Sequence, residues 1–308
     1  MAQTIGTRPQ TNVEQRIERL STASLKKIIE PDVDVPGEVG SGQILPDELL
    51  SIAGLDLDLT PEQRATLARE EVASITAAGI RFESVLAAGF SMQIVRRRDL
   101  TDPEVTYILH ELGEETRHSR LFIRLLAQLR PKARNPLEPF FRVMQRFVLP
   151  RVLNRPAFFC VLVLTGEEVP DLFQKRASEH PDTDPFIREV NRYHRAEEAR
   201  HLAFARMLLP DLWKQAGFVE RALVRRFAPL MIGGMVDTLV HPGVYEAIGL
   251  PGFKTWRAAN RSPKRLEFKH EALRAVLTAL IDAGVLKRGR IPARWQRVCG
   301  VDANAEPR

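Results

Sequence analysis

The pentapeptide Glu-Glu-Thr-Arg-His at 114–118 returns as Glu-Glu-Ala-Arg-His at 197–201. Each copy sets a Glu three residues ahead of a His: Glu115 before His118, and Glu198 before His201. Three residues turn an α-helix by about 300°, which leaves the carboxylate and the imidazole about 60° apart on one face. One such pair from each of two helices forms half of a known metal cage. A Glu from each of two further helices completes it around a pair of iron or manganese ions. The sequence offers both. Glu83 stands 32 positions before Glu115, and Glu167 stands 31 before Glu198, so one layout occurs twice. Two such helical hairpins packed together direct four Glu and two His inward.

The context of each acid bears on this reading. Glu83 is the only acid between Glu71 and Asp99, in the run AAGIRFESVLAAGF. Leaving a buried charge without its partner costs about 3–5 kcal/mol, so Glu83 either faces water or meets a cation. Glu167 follows the apolar run FFCVLVLTG and has a rival in Glu168, about 100° further round the helix. The repeat spacing favours Glu167. His194 lies four residues before Glu198 and seven before His201, on the same stripe, either as a seventh ligand or as a hydrogen-bonding neighbour. The matching position in the first copy is Glu111, expected to orient His118. Glu114, Glu197, Arg117 and Arg200 also repeat and are expected to form supporting ion pairs rather than to ligate.

Four carboxylates balance two divalent cations. A mixed carboxylate and imidazole set suits iron or manganese better than zinc, which prefers tetrahedral sites, or magnesium, which prefers oxygen alone. Iron is the choice, because reduced di-iron pairs react with O2; a manganese–iron pair stays open. The competing reading makes both pentapeptides exposed helix with ion pairs three and four residues apart.

These ligands need four long helices, and the chain signals them. Thr60-Pro61-Glu62-Gln63 reads as an N-cap, a first-turn Pro and a capping-box partner, opening a helix to about Arg96. Asp102-Pro103 opens a second to about Arg130, and Asp184-Pro185 another that ends near Pro210. Between them a helix over 155–179 is expected to kink at Pro170. Further helical periodicity covers 12–30, 137–149, 217–240 and 264–284. Hairpin and strand patterns are hard to find, so the fold class is all-α. Residues 1–59 read as an N-terminal helix and linker, with a Pro-, Gly- and Asp-rich surface loop at 31–59. Residues 60–290 read as the metal-binding bundle with flanking helices, and 291–308 as a loosely held C-terminal tail, like the residues before Val13.

The 308 residues, 44% hydrophobic and 27% charged, suit a soluble globular protein with a sizeable core. The N-terminal stretch has no apolar signal core, and runs such as LMIGGMV fall far short of a membrane span. Two cysteines, Cys160 and Cys299, are too few for a disulfide framework or a thiolate metal site, so a cytoplasmic protein without membrane contact is expected. The net charge of +6 is spread along the chain. Short clusters such as Arg96-Arg97-Arg98 and Arg225-Arg226 read as solvated faces or as docking points for an acidic electron donor. No nucleic-acid-binding motif occurs.

The order Glu, ExxH, Glu, then HxxxExxH resembles the para-aminobenzoate N-oxygenase family, a di-iron branch of the ferritin-like superfamily. The resemblance covers roughly residues 60–240. It implies a ferritin-like four-helix bundle with additional helices and carries the ligand set over as Glu83, Glu115, His118, Glu167, His194, Glu198 and His201. It further implies a monooxygenase that uses O2 to oxidise an amine, aromatic in that family, with an external donor such as a ferredoxin or flavin reductase, in a homodimer. Two departures separate the chain from related branches. Phe122 stands where ribonucleotide reductase small subunits resemble this pattern but place a radical tyrosine, and Asp171 stands where multicomponent hydroxylases set a threonine. Oxidation of carbon by hydroxylation or desaturation, and iron oxidation or storage, are the alternatives. Phe82, Phe90, Phe122, Phe158 and Phe204 fall near the ligand turns, where they either wall a substrate pocket or pack the core.

Overall fold

Side-chain caps start the long helices where the sequence signals them. In the computed structural model, which describes residues 12–26 and 28–307, Thr60 accepts from Gln63 N (3.2 Å) while Gln63 Oε1 accepts from Thr60 N (3.0 Å). Asp102 and Asp184 cap the next two starts by accepting from Glu104 N and from Phe186 N and Ile187 N. The elements in chain order are α1 (Asn12–Lys26), α2 (Pro31–Asp34), α3 (Pro61–Arg96), α4 (Pro103–Leu129), α5 (Glu138–Phe147), α6 (Leu149–Leu153) and α7 (Pro156–Glu179). They continue as α8 (Pro185–Gln215), α9 (Phe218–Arg226), α10 (Ala228–Thr238), α11 (Pro242–Glu246), α12 (Gly252–Arg261), α13 (Pro263–Asp282) and α14 (Ala293–Cys299). No strand longer than a single bridge, Val301 to Pro307, occurs among the described residues.

Short connections fold α3 back along α4 and α7 back along α8, and these are the two most extensive helix pairs. The pairs meet through α4 against α8 and α3 against α7, which makes an all-α, ferritin-like bundle. The remaining helices flank it, α13 against α7 and α1 against α4 and α8. α3 is long and apolar enough, with a mean hydropathy of 1.2 over 18 residues, to cross a bilayer by composition alone. It buries Glu70, Glu71 and Glu83 and packs along α4, as a bundle core helix does.

Several local expectations are corrected. α8 runs on past Pro210 to Gln215, and α7 is not interrupted at Pro170, although the missing N–H there leaves the Gly166 carbonyl without its intrahelical donor, the cause of the expected kink. α7 lacks a capping side chain of its own; Glu220 from α9 accepts from Phe158 N instead (3.1 Å). The periodicity over 217–240 divides at Phe227 into α9 and α10, that over 137–149 becomes α5 and α6, and α1 ends at Lys26. The stretch 31–59 is no bare surface loop, because Ile44, Leu45, Leu50 and Ile52 join a buried cluster with Leu67 and Val72 of α3. Nor is the segment after 290 loosely held: Trp295 is fully buried and donates Nε1 to Val224 O (3.1 Å). The expectation for residues 1–11 lies outside the described residues.

Candidate metal centre

All seven residues singled out by spacing lie within the bundle, none more than 5% exposed. α3 supplies Glu83, α4 Glu115 and His118, α7 Glu167, and α8 His194, Glu198 and His201. Glu198 sits at the centre. One of its oxygens lies 3.2 Å from His118 Nδ1 and 3.5 Å from His194 Nε2, and the other lies 3.0 Å from His201 Nδ1. Glu115 reaches His201 Nδ1 at 3.2 Å and His118 Nδ1 at 3.7 Å. Glu83 Oε1 lies 3.4 Å from His194 Nε2. Two groups of ligand atoms converge, Glu83 with His118 and His194, and Glu115 with His118 and Glu198. Glu167 turns inward among these acids, while Glu168 turns away to pair with Arg206.

The supporting contacts cross between the hairpins. His118 Nε2 lies 3.0 Å from Glu197 Oε2 on α8, and His201 Nε2 lies 2.8 Å from Glu114 Oε2 on α4. A carboxylate only accepts, so each Nε2 donates to its partner; with cations in place of the protons among the inner carboxylates, each Nδ1 would turn a lone pair toward them. Arg200 binds Glu114 at 2.8 Å, Arg117 lies 3.5 Å from Glu197, and the Tyr193 hydroxyl donates to Glu197 at 3.0 Å. The repeated Glu-Arg words therefore do form supporting pairs. Glu111 departs from expectation. It does not touch His118; neither of its oxygens has a partner, and its charge is felt chiefly at His201. The inner face of α4 toward α8 decides this, and helix spacing alone does not reveal it.

Three supporting residues went unseen in the sequence. Gln174 Oε1 lies 3.0 Å from His194 Nδ1, Ser119 Oγ donates to Glu83 Oε2 at 2.6 Å, and Tyr193 holds Glu197. Two carried a usable signal. Gln174 lies seven residues after Glu167 on the same inward stripe of α7, and Tyr193 four before Glu197, the residue it holds.

The donor atoms fit a metal pair. Glu83 Oε1, both oxygens of Glu115, Glu198 Oε1 and His118 Nδ1 are buried and have no hydrogen-bond partner, although buried polar groups are almost always paired. Burial pushes Glu83 up, and burial together with the charges of Glu198 and Glu115 pushes Glu167 well up. Burial would raise Glu198 too, but His201, His194 and His118 outweigh it and hold this carboxyl well below its usual range. Burial likewise opposes Glu114, yet His201 and Arg200 bring it down to about 2. Carboxylates this close and this dry cannot all stay ionised unless cations sit among them, and two divalent ions remove the conflict.

A small chamber of about 120 Å³ opens beside the cluster, lined by Glu83, Glu167 and His194 and walled by Phe82, Phe122 and Phe173. Phe122 stacks on His194, with ring centroids 5.0 Å apart. The Phe82 ring rests on Gly166, where a Cβ would stand 1.8 Å from its Cζ; any larger residue there would expel it. Phe90, Phe158 and Phe204 lie away from the chamber in the hydrophobic core.

A family model described as P-aminobenzoate N-oxygenase AurF matches residues 10–284. The chain is also 28% identical over 186 residues to uncharacterized proteins of Mycobacterium bovis and of two strains of Mycobacterium tuberculosis. Those matches cover 58% of this chain and 53% of each relative, so the chain spans about half the length of the curated relatives it matches.

Proposed function

The chain belongs to the p-aminobenzoate N-oxygenase family, and from that premise we propose that it is an O2-dependent di-iron monooxygenase that oxidises an amine nitrogen. The observation that carries the reading is the set of unpartnered buried oxygens and nitrogens on Glu83, Glu115, Glu198 and His118, gathered where family and spacing both expect metal ligands. Glu83, Glu115, His118, Glu167, His194, Glu198 and His201 would hold two iron ions. When bound, the pair supplies the activation of O2 and accepts electrons from an external donor.

The protein's part is positioning. Glu114 and Glu197 keep the Nε2 proton on His201 and His118 and so aim both Nδ1 atoms inward. Gln174 and the Phe122 ring fix the plane of His194. Phe82, Phe122 and Phe173 keep bulk water from the face of the cluster formed by Glu83, Glu167 and His194, and the reacting amine enters there. The chamber favours an oxygenase over iron storage, which needs no walled space for an organic substrate. The working form is proposed to be a cytoplasmic homodimer served by a ferredoxin or flavin reductase.

Aerobic single turnover of the iron-loaded protein with 18O2 and a panel of anilines tests the reading. Label in a hydroxylamine or nitroso product supports it. Label in a C–OH group would move the chemistry to carbon. Continued ferrous oxidation with a growing mineral and no organic product would sink it.

A further inference from the structure

A second cavity, of about 920 Å³, lies behind the small chamber, at the upper end of the ~300–1,000 Å³ that encloses most organic ligands. It follows α3 from Glu70 to Leu86, a helical rise of about 24 Å. Its walls are predominantly apolar, with Phe159, Phe227 and Met231 among them. The space is partly open to solvent, an apolar-walled cleft of the kind in which organic ligands are held.

The two spaces adjoin. Ala78, Phe82, Met235 and Leu239 border both, which makes the Phe82 ring, seated on Gly166, the partition between the large cavity and the cluster. The far side is covered by α5. Phe140, Phe141 and Met144 of this helix line the cavity, yet α5 has no buried residue, and Phe140 and Val143 are 57% and 56% exposed. A helix that turns its apolar side over a void is held by few contacts, and this is what a lid requires.

We propose that the large cavity binds the apolar chain of the substrate, an acyl or alkyl chain, whose reacting end passes Phe82 into the small chamber. Length decides the class. A single aromatic ring fills the small chamber and leaves the long space empty, whereas a chain laid along α3 occupies it and reaches the cluster. That the bound molecule is a substrate rests on the oxygenase reading; that a chain binds does not.

The test uses the iron-loaded full chain and cis-parinaric acid, whose fluorescence rises in apolar sites, displaced by hexadecanoic acid, hexadecylamine or aniline. Both long chains are expected to displace the probe, and aniline is not. Gly234 of α10 lines the cavity, and nothing lies within 4 Å of where its Cβ would stand. Gly234→Phe therefore has open space at the cavity wall for its side chain and is expected to weaken chain binding by about 10-fold or more with an unchanged thermal midpoint. Absence of displacement in the unaltered protein, or equal binding by Gly234→Phe, overturns the inference. So does a concentration-dependent dimer that Phe140→Asp dissociates while no chain binds, for then a second copy covers this face. Iron content and O2 uptake are read on the same samples. Chain binding without iron overturns the oxygenase reading alone, and iron with O2 uptake but no chain binding overturns this inference alone.

Discussion

The hairpin of α3 and α4 and the hairpin of α7 and α8 present the same acids and imidazoles, yet they are not equivalent. Four residues before the second-helix Glu, one hairpin has Glu111 and the other His194. His194 faces Glu83 and Glu198 and is oriented by Gln174, while Glu111 is buried near His201 without a partner. Glu83 receives a hydrogen bond from Ser119, whereas Glu167 faces the carboxylate of Glu198. Duplication accounts for a set of donors that could hold two ions. The broken symmetry makes the two positions different, one with an additional nitrogen beside it. The shared words gather donors that could hold metal, and the unshared residues would give each of two ions its own surroundings.

The hardest blow to the comparison falls on what the hairpins share. Glu115→Ala and Glu198→Ala are each expected to reduce iron from about two to below one per chain, because each acid reaches both His118 and His201. Elemental analysis decides this, and retention of two irons in either variant would remove the cage. A second difference lies outside it. α3 buries Glu71 in turns that precede the stretch matched by α7, which begins only at Pro156. Ser51 donates both its N–H and its hydroxyl to Glu71, but burial prevails and raises the carboxyl to about 7. The folded chain therefore holds a proton that the unfolded chain releases above about 4.5. This stabilisation is fully present below that pH and is lost as pH rises through 7, by roughly 3 kcal/mol in all. Urea unfolding from pH 4.5 to 8 is expected to show that slope and Glu71→Gln to flatten it; parallel curves would refute the assignment.

The crossed contacts allow a finer test. Glu114→Gln and Glu197→Gln are expected to weaken metal affinity by about 10–100-fold each, measured by chelator competition. A loss in only one variant would break the likeness between the halves. The smallest effect concerns the unshared pair. His194→Ala is expected to change the absorption spectrum of the iron-loaded protein with iron content retained, and Glu111→Gln to leave the spectrum unchanged. An unaltered spectrum in His194→Ala would take that histidine out of the ligand set.

The site was legible because helical period and repeat spacing are local properties. Glu83 and Glu167 followed from an offset, and His194 from its stripe on α8. What the sequence did not disclose depends on how one helix lies against another. Gln174 reaches His194 from a different helix, and Glu197 rather than Glu111 orients His118. The docking of α7 and of α4 on α8 decides such choices. Composition misled elsewhere. The Pro, Gly and Asp of 31–59 concealed Ile44 and Leu45, which are 1% and 0% exposed. Trp295 sits after a breaker-rich stretch and yet anchors the C-terminal helix. The flanking apolar periodicity was plain, but the large space along α3 was not, since a void has no residue of its own.

The exchange of Glu114 for His201 and of Glu197 for His118 has a consequence for how the centre comes into being. Neither hairpin carries the carboxylate that aims its own imidazole. A half-molecule, however helical, leaves its histidine free to swivel, and the directional pull on a metal arises only when the halves have closed on each other. Iron uptake thus reports on a tertiary event and not on helix content. Mild denaturant should release the metal at the point where the hairpins part, before the helices themselves melt.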